Sequence, residues 1–219
     1  MSRRQSACIA SAAWLSLLWP GGLVPQAAVG PRNGGMPREE VEVREGVASQ
    51  IGRYHPGPIE PTSARFAVYT ERHLFQARVP SNWHVLPDGD SVVFAPRGGY
   101  GPAGGEVVFT HGVEIGLAPR GGDDLADATD ALIDLLSSDS PQLRRLSDLG
   151  RCSLANQPAV RAVVSSVSEV TGQEERMEIV TTLLGDGRLF YALVVAPRDA
   201  FASYEPTFRR VLASIAIIE

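Results

Sequence analysis

Lysine is absent from the 219-residue chain, and all 20 of its basic side chains are arginine. That excludes Schiff-base chemistry, the phosphate-binding lysine of P-loops and Ser-Lys dyads, each of which needs an ε-amine. Cysteine is nearly as scarce. Cys8 lies in the leader-like first segment and Cys152 in GRCSLAN, so a processed chain keeps one thiol and no internal disulfide. With no motif around it, Cys152 reads as a small buried apolar residue rather than a nucleophile. The four histidines, His55, His73, His84 and His111, form no HExxH pair. Positive charge is also in deficit. The formal net charge is −5, and loss of the first thirty residues with their two arginines would take it to −7, which argues against a nucleic-acid partner.

What the chain does contain is 44% hydrophobic and 21% charged residues, the balance of a globular protein with a core of its own. Residues 1–30 read as a secretory signal peptide: Arg3 and Arg4, an apolar run from Ala7 to Trp19, then small residues ending QAAVG. Cleavage is expected after Ala28 or Gly30, which would place the protein in the periplasm or outside the cell. An uncleaved leader is the one route to a membrane, and Pro20, Gly21 and Gly22 make the run short for a span. Residues 31–62, rich in Pro, Gly, Arg and Glu, carry no helical or strand period and read as a flexible tether.

Residues 63–219 hold the regular patterns. Leu74–Val79 alternates with Phe75, Ala77 and Val79 on one face, Ser91–Ala95 follows the Asp88-Gly89-Asp90 turn, and Glu106–Leu117 reads as a third strand of period two. Asp123–Ser138 predicts a helix with Leu125, Ala128, Leu132, Leu135 and Leu136 inward and Asp123, Asp127, Asp130 and Asp134 outward. Ser140–Leu146 reads as a short helical turn. An antiparallel meander follows over 150–154, 159–168, 176–184 and 188–196, joined by NQP, TGQ and GDG turns. A closing helix spans about 203–215, with Pro206 expected in its first turn. The fold class is therefore α+β: an antiparallel sheet of about six to seven strands flanked by two main helices.

VPSNWHV, VVFAPRGGYG, THGVEIGLA, LADATDALIDLL, SPQLRRL and TTLLGDGRLFYALVVAPRDAFASYEPTFRRVLASI, spanning about Phe75 to Ile217, carry a resemblance. In that order they resemble the accessory C-terminal domain of some bacterial zinc-metalloprotease-family proteins, which is similar to the PsbP-type α/β/α sandwich. The resemblance implies a binding or assembly module. In such proteins the proteolysis belongs to a separate HExxH domain, so no catalytic residue carries over to this sequence.

Among candidate sites, Gly99–Gly104 spells GxGxxG, but a strand follows where a dinucleotide fold needs a helix, and Pro102 has no N–H to give; it reads as an inter-strand loop. The aspartate stripe and the Asp88/Asp90 pair lack a wrapped calcium loop and read as a solvated face and turn formers. No catalytic, cofactor or metal-binding residue is assigned. If the domain binds a partner, the expected surface is Trp83 as aromatic anchor, Arg97 as a fork for a carboxylate, Tyr100 and His111. The leading expectation is an exported, non-catalytic module acting on an envelope protein or peptide. The alternatives are a small hydrolase or ligand-dependent enzyme using an accessible His111 with a carboxylate, and a structural remnant of a metalloprotease-family protein.

Overall fold

A computed structural model describes residues 57–103, 106–168 and 170–218. The leader and the tether up to residue 56 lie outside the described residues. The last part of the expected tether is already tied to the domain: the Glu60 N–H donates to the Arg97 carbonyl at 2.9 Å, and the Asn82 amide donates to the Pro61 carbonyl at 2.9 Å. Gly98, at φ +82°, lets the backbone of Pro58 come close, since a Cβ there would stand 2.6 Å from the Pro58 carbonyl oxygen.

Three layers build the domain. The central one is an antiparallel sheet of eight strands: β3 (His84–Asp88), β4 (Ser91–Ala95), β7 (Gly112–Ala118), β12 (Leu189–Pro197), β11 (Glu174–Leu183), β10 (Gln157–Val167) and β8 (Arg144–Arg145) in spatial order, with β9 (Gly150–Leu154) also paired to β10. All nine residues of β12 are buried, because it runs between β7 and β11 and is covered on both faces. Helix α1 (Leu125–Asp139) lies on one face, against β10 and β11. Its N-cap is Asp124, whose carboxylate accepts from the Ala126 and Asp127 N–H groups. Ala128, Leu132 and Ile133 pack on Val164, Met177, Ile179, Tyr191 and Leu193. Thr129 joins this layer to the sheet through a buried 2.6 Å hydrogen bond with Thr181.

Helix α2 (Phe201–Ala213) covers the opposite face with a three-stranded sheet, β1 (Phe66–Glu71), β2 (Phe75–Pro80) and β13 (Ala216–Ile217), in which β2 is central. Phe75, Ala77 and Val79 point inward, as their alternation requires, onto a core containing Phe94, Phe190, Phe208 and Val211. A separate hairpin pairs β5 (Tyr100–Ala103) with β6 (Glu106–Phe109).

Several sequence expectations change. The main sheet has eight strands rather than six to seven. The Glu106–Leu117 strand is two strands, β6 and β7, because Gly112 at φ +151° breaks the extended run after His111. The GxGxxG stretch is not a loop: Tyr100–Ala103 is strand β5, paired with β6. Ser140–Leu146 turns into strand β8 instead of a helical turn. Pro206 falls in the second turn of α2, not the first. Cys152, expected to be buried, is exposed on β9, four of whose five residues face water.

Candidate functional site

The four residues expected to share a surface do not. Trp83, which closes a turn by donating its N–H to the Pro80 carbonyl, is buried in the α2-side core, where its ring meets Phe208 edge-on at 6.4 Å. Its indole N–H is buried with no hydrogen-bond partner among the described residues, so it is a core residue and not an exposed anchor. His111 is buried on the same side, its ring 5.3 Å from that of Tyr204 on α2. Its Nδ1 lies 3.0 Å from the Thr110 hydroxyl, and burial drives its pKa down to about 4 against the opposing pull of Asp199. The enzymatic alternative needed an accessible His111 hydrogen-bonded to a carboxylate; the imidazole is instead enclosed, bonded to a hydroxyl and neutral. Tyr100 packs towards the α1 side, where its hydroxyl lies 2.9 Å from His84 Nδ1. Arg97 is exposed at the turn leaving β4.

A cleft of about 320 Å³ opens elsewhere, at the N-terminal end of α2 over the ends of β10 and β11. Helix α2 packs mainly on β12 and β2, and its first turn borders the cleft. Leu146, Ser165, Arg176, Phe201 and Ala202 line it, with Glu174, Arg198 and Glu205 around them. Leu146 is 56% exposed, the side chain of a large apolar residue left facing water. The charges are ordered by pairing. Arg198 Nη1 donates to both Glu174 oxygens at 3.0 and 2.8 Å, and Glu205 accepts from Arg209 at 2.5 Å across one helical turn. Arg176 differs: its guanidinium sits 5.0 Å over the Phe201 ring, and among the described residues no carboxylate pairs with it. A second small hollow continues along α2, where Arg161 meets Glu178 at 3.5 Å.

Two buried carboxyl groups lie on the other face of the sheet, each aimed at the α1 layer by strand alternation. Glu114 on β7 accepts from the Tyr191 hydroxyl at 2.5 Å; burial lifts its pKa to about 7 although hydrogen bonds from Tyr191 and Ser91 oppose the rise. Glu175 on β11 shares its face with Met177 and Ile179, so its backbone borders the cleft while its carboxyl points away. Burial raises it to about 8, with Ser168 opposing, and its Oε1 lacks a hydrogen-bond partner among the described residues. Both groups are thus held protonated at or near neutral pH.

Sequence reasoning missed the cleft for an identifiable reason. Its lining comes from β10, β11, α2 and the residues just past β8 and β12, and only the sheet register sets Ser165 opposite Arg176. The available signal was Arg176 itself, a charged residue sharing strand parity with Glu178 and the buried Val180.

No protein-family model and no curated protein sequence matches the chain. Among solved structures, the cyanobacterial PsbP (CyanoP) of Synechocystis sp. PCC 6803 is similar at 15% identity and TM-score 0.50, over 74% of this chain and 96% of that one. LpqN, involved in cell envelope biogenesis of Mycobacterium tuberculosis, is similar at 14% identity and TM-score 0.42, over 66% and 83%. The Ran-binding protein Mog1p of Saccharomyces cerevisiae is similar at 11% identity and TM-score 0.48, over 72% and 97%. The CyanoP likeness speaks to the fold alone, and with the three layers described above it gives this chain a PsbP-like α/β/α sandwich.

Proposed function

We propose that this protein is an exported binding module that docks a protein or peptide partner of the cell envelope on its α2 face. The observation that carries the reading is the cleft beside α2: an apolar floor of Leu146, Phe201 and Ala202 ringed by arginines and glutamates that are already paired, apart from one guanidinium. Such a surface recognises a partner through shape and charge. His111, the residue best suited to proton transfer, is enclosed away from it. Export rests on the Arg3-Arg4, Ala7–Trp19 and QAAVG pattern.

Two measurements test the reading. Cell fractionation with intact-mass analysis is expected to find an envelope or secreted form beginning at Val29 or Pro31; a cytosolic protein retaining residues 1–30 removes the export claim. For docking, a partner cross-linked to the full-length protein in envelopes is identified, purified and titrated against wild type and Ala202→Arg. Ala202 is exposed, so the larger side chain fills the cleft without entering the core. At least a tenfold weakening is expected, about 1.4 kcal/mol. Equal binding by the two proteins overturns docking on this face.

A further inference from the structure

We propose that the cleft is a carboxylate site: Arg176 and Ser165 take the carboxylate of a ligand whose apolar substituent lies on Phe201, Ala202 and Leu146. The inference rests on the reading of the α2 face as the docking surface and names the chemistry recognised there.

Charge pairing comes first. The two acidic side chains facing the cleft each have a cation of their own, Glu174 with Arg198 and Glu205 with Arg209. Arg176 is the remaining charge, and the described residues give it no carboxylate partner. A guanidinium is a planar fork that matches a carboxylate with two parallel N–H···O bonds, so an unfilled one at a cleft has a definite complement. Preorganisation comes next. Arg176 is held over the Phe201 ring, which fixes the fork and lowers the entropy lost when a ligand binds. Ser165, the direct cross-strand partner of Arg176, is nearly buried, lines the same cleft and has a hydroxyl that is not committed to another described residue. It can donate a third hydrogen bond to the same oxyanion. The floor supplies the rest: Phe201, Ala202 and the exposed Leu146 offer apolar contact next to the charge. The volume of about 320 Å³ holds one residue or a short-chain acid.

That chemistry has two sources, the C-terminus of a peptide chain and a free short-chain apolar acid. The experiment uses full-length protein, with 15N-detected NMR reading the Arg176 guanidinium Nε–Hε signal where Arg176 is present and the Ala202 backbone amide signal in wild type and every variant. The probes are acetyl-Ala-Leu with a free carboxylate, the same dipeptide as its C-terminal amide, and isovalerate. The expected result is saturable movement of the Arg176 signal by a carboxylate probe, at least tenfold weaker binding of the amide, and at least tenfold weakening by Arg176→Gln. Arg176→Lys is expected to restore part of the affinity, since it keeps the charge without the fork. Ser165→Ala should weaken binding two- to fivefold with the unfolding midpoint unchanged. Binding by the dipeptide acid alone identifies a chain terminus as the ligand; equal binding by isovalerate identifies a free acid. If no carboxylate probe moves Arg176 at 10 mM, or acid and amide bind alike, the carboxylate site is overturned. In that case, a purified partner that still binds and is still blocked by Ala202→Arg leaves the docking reading standing.

Discussion

Replacing Glu175 by glutamine should make the protein more stable at alkaline pH while leaving it almost unchanged at acid pH. The carboxyl is 2% exposed, and burial raises its pKa from 4.5 to about 8. In the unfolded chain the group ionises near its ordinary value. Between the two values the folded state therefore holds a proton that the unfolded state has released, and stability falls as pH rises through that window. A separation of this size gives a loss of about 3–4 kcal/mol between pH 5 and pH 8 from this one group. Above about 8 the fall levels off, because both states are then ionised. Glutamine keeps the size and hydrogen-bonding reach of the protonated acid but has nothing to titrate. Urea unfolding at pH 5, 6.5 and 8 checks this, with slopes compared so that a changed m-value is not mistaken for a changed stability. Glu114 and His111 titrate identically in both proteins, so the difference between the two pH profiles isolates Glu175. Parallel profiles would refute the reasoning, since they would mean that the carboxyl ionises in the fold at an ordinary pH.

His111 has the opposite sign. Its folded pKa of about 4 lies below its ordinary 6.5, so stability is lost as pH falls from 6.5 towards 4, and His111→Gln should remove about 2–3 kcal/mol of that acid-side loss in the same titration. Gly112→Ala would put a Cβ 2.3 Å from the Phe94 carbonyl oxygen at a backbone angle of +151°; a loss of about 3 kcal/mol or more is expected in urea melts, and a variant within about 1 kcal/mol of wild type would sink the argument. Trp83→Ala should cost about 3–5 kcal/mol, whereas Trp83→Phe, which removes a buried N–H that has no partner among the described residues, should cost less than about 1.5; a Trp83→Phe loss well above that would show that the indole nitrogen is bonded. Thr129→Val should cost about 1–3 kcal/mol by leaving the Thr181 hydroxyl without its helix partner, and adding Thr181→Val should recover part of it, as read from a double-mutant cycle.

The elements that could be read from the sequence are those whose patterning is local and one-sided. β2 alternates cleanly, α1 carries an apolar stripe against an aspartate stripe, and the meander from β9 to β12 is punctuated by turn residues such as Gly172 and Gly187, both at positive φ. The elements that escaped depend on distant partners. β3 contains Pro87 and survives as an edge strand because its free side faces away from β4. β8 and β13 are two residues long and exist only through β10 and β2. The site escaped for a related reason. Trp83, Tyr100 and His111 are neighbours along the chain's punctuation, but Gly112 and the β5–β6 hairpin divert them to different sides of the sheet. The cleft residues, spread from Leu146 to Glu205, meet only once β10, β11 and α2 are assembled.

The short strand β13 has a consequence for how the molecule is made. Strand β13 closes the open edge of β2, with the Ser214 hydroxyl accepting from the Arg78 N–H at 2.8 Å across 136 residues and Ile217 aligned with Phe75. Strand β2 therefore has both edges satisfied only when β13 has docked on it, a loop closure across nearly the whole domain that the α2-side layer has to make. A chain cut before Ala216 presents β2 as an edge on which another copy can pair.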